Sequence, residues 1–197
     1  MATDQIMLLH FYRTPALSAA QKTRALRTLR ELVCPEIEDL ETEFCYNVQT
    51  REVLGEREIG LLSWLLGETY EADQFGQHSF FPEGETCLEV GPRLSFKSAW
   101  CTNALAICHT CGLGEIKRLE RSRRYLVVGP ASLTAQQEEG FLALVHDRMT
   151  ECHYPKPLST FETGVKPEAT LEVPVLQEGR AALERFNREA GLALDDW

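Results

Sequence analysis

What this chain lacks narrows the reading first. It has no run approaching the roughly 18 apolar residues that a bilayer-spanning helix needs. It has no Gly-x-x-x-x-Gly-Lys-Ser/Thr loop, no Gly-x-Ser-x-Gly elbow and no Gly-x-Gly-x-x-Gly after a strand, so the familiar phosphate-cradling and acyl-transfer signatures are missing. Basic residues are outnumbered, 20 Lys and Arg against 30 Asp and Glu, for a formal charge of −10. That balance argues against nonspecific binding of nucleic acid or acidic membrane by the whole surface, and leaves local basic faces open. The start, MATDQIMLLHFYR, sets Asp4 before a short apolar run, where a secretory leader has a basic start and a longer apolar core. Seven cysteines at irregular spacing, an odd number, suit reduced thiols better than a disulfide framework. A cytoplasmic location is the expectation.

What is present describes a soluble α+β protein. The apolar and charged fractions, 44% and 25%, are ordinary for a globular chain, and 197 residues suit one domain plus an appendage. Residues 6–13, IMLLHFYR, read as a strand buried on both faces. Ser18 opens an amphipathic helix with Leu17, Leu26, Leu29 and Val33 near one face and Lys22, Arg24, Arg27 and Arg30 on the rest, a solvated face before a phosphate-binding one. Residues 40–48 alternate as a half-buried strand, with Glu41, Glu43, Cys45 and Asn47 on the polar side. A helix spans about 56–66, and residues 68–85 form an irregular connection. Then the pattern begins again: a strand at 86–91, a helix at 98–111 stopped by Gly112, strands near 115–121 and 123–129, and a helix from Thr134 to about Thr150 with a Thr134/Gln137 capping box. The expected fold is a duplicated strand-helix-strand-strand-helix unit, its antiparallel sheet carrying helices on one face, over residues 1–152. From 153 to 197 a proline-rich linker leads to a helix at 177–190, and the LALDDW end reads as the beginning of something longer.

Few residues carry chemistry. Cys108 and Cys111 stand at a helix C-terminus, where the dipole does not activate a thiol, and no second pair lies at zinc-ligand spacing; they read as packing thiols, with no metal site expected. Lys117–Arg124 holds five basic residues. An RNA-binding sheet would want interleaved aromatics, and only Tyr125 is near, so a charge-guarded exposed or edge strand, or a docking surface for an acidic partner, is the simpler account. His146, Asp147, Arg148 and Glu151 follow one another too closely around a helix to converge on one point. Ser98 caps a helix whose N-terminus, with Arg93, Ser95, Thr102 and Asn103 around it, favours an anion; an ordinary serine cap competes with that reading.

Several ordered segments resemble one family. PRLSFKSAWCTNALAICHTCGL, RLER with RRY, HDRMTE, LHFYRTPALS, ETEFCYNV and EGRAALERFNREAGLALD are similar to the N-terminal region of large single-chain phosphoribosylformylglycinamidine synthases. The resemblance implies a domain like two fused copies of the small subunit of the multi-subunit bacterial enzyme. A linker would follow, then an ATP- and Mg-using synthetase domain and a glutaminase domain. In that enzyme glutamine supplies ammonia, and ATP activates the formyl amide of formylglycinamide ribonucleotide. The synthetase opening and the glutaminase Cys–His–Glu residues are not found here, so the segment is expected to hold no catalytic residue, bind no cofactor of its own and be inactive alone. Its implied partners are the synthetase and glutaminase domains, with no nucleic acid and no membrane. Arg93, Ser98, Thr102, Asn103, Arg121 and Arg124 are the expected substrate-bordering or domain-contact residues. The pattern in bacterial relatives has a lysine where this chain has Asn103, a departure that weakens any claim that a charge is needed there. A free-standing, non-catalytic interaction protein related to the synthase is the alternative.

Overall fold

The computed structural model describes residues 7–67, 71–164 and 169–195. The chain divides into two compact units, Met1–Thr163 and Gly164–Trp197. In the first, β1 (Met7–Arg13), α1 (Ala19–Leu32), β2 (Asp39–Thr50), α2 (Glu56–Leu66) and β3 (Phe75–Gly76) are followed by β4 (Leu88–Pro92), α3 (Ala99–Thr110), β5 (Ile116–Val128), α4 (Ala135–Val145) and β6 (Glu151–Tyr154). The strands form one sheet in the order β3-β1-β2-β5-β4-β6, and every pairing is antiparallel. Each half is therefore strand-helix-strand-helix-strand, not the strand-helix-strand-strand-helix unit expected, because β5 is one strand and each half closes on a short strand after its second helix; the halves meet where β2 lies against β5. The α+β class, the antiparallel sheet and the duplication are as the sequence indicates.

Local chemistry sets the helix starts. Ser18 and Ser98 accept from the amides of Gln21 and Cys101, and Thr134 and Gln137 form a reciprocal capping box. Even-numbered residues of β2 face the helices. Tyr46 and Val48 pack with Leu62 of α2 and with Cys101, Leu105 and Cys108 of α3. Leu40 packs with Leu29 of α1 and with Phe141 of α4, whose ring meets Tyr125 edge-on at 5.5 Å. All four helices thus cover one side of the sheet.

Five expectations change. The two strands expected at 115–121 and 123–129 are one continuous strand, because Ser122 is not a turn residue but a buried one, bonded to Glu89 and Asn47. That strand is central, paired with both β2 and β4, so it is neither exposed nor an edge. The last helix of the first unit ends at Val145. Asp147 then caps a tight turn, bonding the Met149 amide and the Thr150 hydroxyl, and the chain enters β6. Finally, the stretch from 153 does not leave the sheet at once. His153 and Tyr154 lie in β6, and Leu158 and Phe161 pack beside Leu8 and Leu94 on the side away from the helices. The second unit carries α5 (Val175–Glu178) and α6 (Arg180–Ala190), one expected helix broken at Gly179 by a φ of +65°.

Candidate functional site

The second face of the sheet is polar and closed. Glu43, Cys45 and Asn47 of β2, Glu89 of β4, and Arg118, Glu120, Ser122 and Arg124 of β5 point to it, and residues 79–81 and 154–161 lie over it. Glu43 and Glu120 are fully buried. Arg124 binds Glu43, donates to Ser79 at 2.9 Å, stands 3.6 Å from Glu89 and lies over the rings of Tyr12 and Phe81. The Glu43 carboxylate also accepts from the Ser79 hydroxyl and the Phe80 amide, at 2.7 and 2.8 Å. Charges this deep are tolerable because each is paired and hydrogen-bonded.

Burial raises the pKa of Glu89 despite its bond from Ser122 and the nearby Arg124 charge. It also pushes the Cys45 thiol well above the usual range, so that sulfur is a neutral packing group rather than a nucleophile. His10, 3.7 Å from Cys45, is held below its ordinary pKa by burial, against hydrogen bonds to Asn47 and to the Leu158 main chain. The unfolded chain therefore binds a proton more readily there than the folded one. Stability contributed by His10 is fully present above about pH 6.5, the unperturbed value, and is lost as pH falls through the lowered folded pKa. Urea unfolding at pH 7.5 and pH 5 should show the wild type weaker at the lower pH, and His10→Gln should shrink that difference. An unaltered difference in the variant would place the titrating group elsewhere.

A second arrangement organises the loop from Arg93 to Ser98. The Arg118 guanidinium donates to the carbonyls of Leu94 (2.9 Å), Phe96 and Arg93 (3.5 Å), pairs with Glu120 at 3.2 Å and lies 4.3 Å above the Phe161 ring. Glu120 in turn accepts from the amide and the hydroxyl of Ser98, at 3.0 and 2.6 Å. The anion at the start of α3 is thus a carboxylate of the domain itself.

The expected site residues fall into two groups. Ser98, Thr102, Asn103 and Arg121 gather around the first turns of α3, and Arg93 stands in the loop before it, turned to the 148–150 turn. Arg93 is exposed and bonds the Arg148 carbonyl at 2.5 Å; Thr102 bonds the Ser98 carbonyl at 3.3 Å; Asn103 is exposed. Arg121 lies across Phe44 and Trp100, 4.3 and 5.3 Å from their ring centres. Arg124 is three residues further along β5 and so on the opposite face. The buried network was not foreseen. Alternation marks Glu43 and Asn47 as a polar side, and a polar side reads as wet until the covering segments are known. The one pairing that carries the network across the strands, Glu43 opposite Arg124, depends on the register of β2 against β5 and not on either segment alone.

Fold and site together define a duplicated α+β domain whose buried ionisable groups are engaged with one another. The chain belongs to the formylglycinamide ribonucleotide amidotransferase N-terminal family, whose model it matches over residues 43–160. It is 45% identical over 195 residues to a phosphoribosylformylglycinamidine synthase of Dictyostelium discoideum, 43% to a probable chloroplastic/mitochondrial one of Arabidopsis thaliana and 39% to that of Homo sapiens. These alignments cover 94%, 96% and 96% of this chain but 14%, 14% and 15% of the relatives' own lengths.

Proposed function

We propose that this chain is the non-catalytic N-terminal docking domain of a phosphoribosylformylglycinamidine synthase. In that reading the synthase converts formylglycinamide ribonucleotide, glutamine and ATP, with Mg, into formylglycinamidine ribonucleotide. Glutamine is hydrolysed in one neighbouring domain and ammonia is used in another, and this domain holds the two in relation. The observation that carries the reading is the pattern of similarity: nearly the whole chain aligns with about one-seventh of each synthase. The buried acids and bases are consistent with it, since Glu43, Glu89 and Glu120 are committed to Arg124, Ser122, Arg118 and Ser98 rather than turned toward a substrate. Arg93, Thr102, Asn103 and Arg121 are the expected contact residues with free faces, whereas Ser98 and Arg124 act within the domain. Seven free cysteines suit a reducing compartment such as the cytoplasm, and among the described residues no helix is long and apolar enough to cross a membrane.

The purified 197-residue chain, given glutamine, ATP with Mg and the ribonucleotide, should release neither ammonia nor ADP. The coding frame should continue past Trp197 into a synthetase domain. Turnover of glutamine or ATP by the piece alone would overturn the reading.

A further inference from the structure

Residues 98–114 contain no Asp, Glu, Lys or Arg, in a chain where a quarter of all residues are charged. Most of that run is α3. Its inner side buries Cys101, Leu105 and Cys108. Its outer side presents Thr102, Asn103, Ala106, Ile107 and Thr110 to solvent, with Ile107 55% exposed. The helix in the same position of the first half is built otherwise. α1 buries Leu29 and turns Arg24, Arg27 and Arg30 outward, as a solvated helix does. Topology gives the two helices equivalent places, so the difference lies in what each outer face meets. A helix face that stays in water gains nothing by excluding charge. A face that is covered does, because buried charges must be desolvated and paired.

Arg121 supplies the sign of the covering surface. The other arginines of β5 have carboxylate partners: Arg118 has Glu120, Arg123 has Glu151 at 2.8 Å, and Arg124 has Glu43 and Glu89. Among the described residues Arg121 has no carboxylate at salt-bridge distance. It is exposed, held by Phe44 and Trp100 at the start of α3, and lines a cavity of about 260 Å³ together with Phe96, Ser98, Trp100 and Glu151, whose carboxylate is engaged by Arg123 and not by Arg121. A guanidinium held over two rings beside an open cavity is placed in advance for an anionic side chain.

We propose that the outer face of α3 and Arg121 form the surface on which the rest of the synthase polypeptide seats. The occupant is a largely apolar surface of that polypeptide whose one charged group is a carboxylate that pairs with Arg121. This rests on the docking-domain reading above. It adds the face, and it excludes the basic face of α1.

The test uses the full synthase polypeptide carrying this sequence, with a specific protease site placed in the exposed stretch 169–172. After cleavage, gel filtration should show the N-terminal unit still bound to the remainder. Ile107→Glu and Arg121→Glu should each weaken that association by about tenfold or more and release the unit. Arg27→Glu on α1 should leave it bound. Release of the wild-type unit on cleavage would overturn the docking reading itself. Retention of the wild type together with both α3-side variants would overturn only the choice of face, as would release by Arg27→Glu. The 197-residue chain carrying Ile107→Glu should unfold at the wild-type urea concentration, since that side chain is largely exposed, which separates lost docking from lost folding. If the 197-residue chain is a dimer in solution and Ile107→Glu makes it a monomer, a second copy covers the face and the proposal is wrong.

Discussion

Arg124→Met is expected to cost about 3–5 kcal/mol of folding stability, the usual penalty for removing one partner of a buried ion pair. The guanidinium is the main neutralising charge for Glu43, which is fully buried, and it also faces Glu89 at 3.6 Å. Methionine fills similar volume and keeps contact with Tyr12 and Phe81, so packing changes little and the charge term is isolated. Glu43 would keep its bonds from Ser79 and the Phe80 amide, which soften the loss without cancelling it. The triple variant Glu43→Gln/Glu89→Gln/Arg124→Met removes both carboxylates along with their counter-charge and should recover much of the stability. Urea midpoints for wild type, single and triple variants measure this directly. A triple variant no more stable than Arg124→Met alone would show that the cost lay in packing or in the segment 79–81 rather than in stranded charge.

Gly129→Ala should cost about 3 kcal/mol or more, because strain and collision act together there. Gly129 ends β5 with a φ of +121°, a region L side chains rarely adopt. A methyl group would stand 2.4 Å from the Glu36 carbonyl oxygen and 2.8 Å from the Glu38 nitrogen. Neither atom can give way cheaply. The Glu38 amide bonds the Val128 carbonyl at 2.8 Å, Ile37 is buried in the core, and Arg30 clamps the carbonyls of Ile37 and Glu38 at 2.7 and 2.6 Å. Gly84 is the matched control. Its φ is +86°, but nothing lies within 4 Å of the methyl position, so Gly84→Ala should cost only the backbone term of about 1–2 kcal/mol. Thermal or urea unfolding of both variants separates strain from collision. Equal losses would mean that the 36–38 turn moves aside freely.

The two effects show where sequence reading succeeds and where it stops. Helix starts at Ser18, Ser98 and Thr134 are decided within four residues, because a side-chain oxygen reaches an amide of its own first turn. The left-handed stop at Gly112 is equally local. The outward uncharged face of α3 is visible in the string as a charge-free run, although its exposure is not. By contrast, a basic run of five in eight residues reads as an exposed strand, since local composition cannot show that Glu43, from a strand some eighty residues earlier, neutralises Arg124.

The sequence by itself determined the α+β class, the duplication, the caps and the family, because all of these are written in neighbouring residues or in ordered motifs. Tertiary structure alone decided that β5 is one central strand, that the polar side of the sheet is dry, and that Arg121 and Arg124 serve opposite faces. The reason is that burial is a property of what lies over a residue. Here the covering segments, around Ser79 and Phe161, come from far along the chain and are positioned only once the sheet has formed.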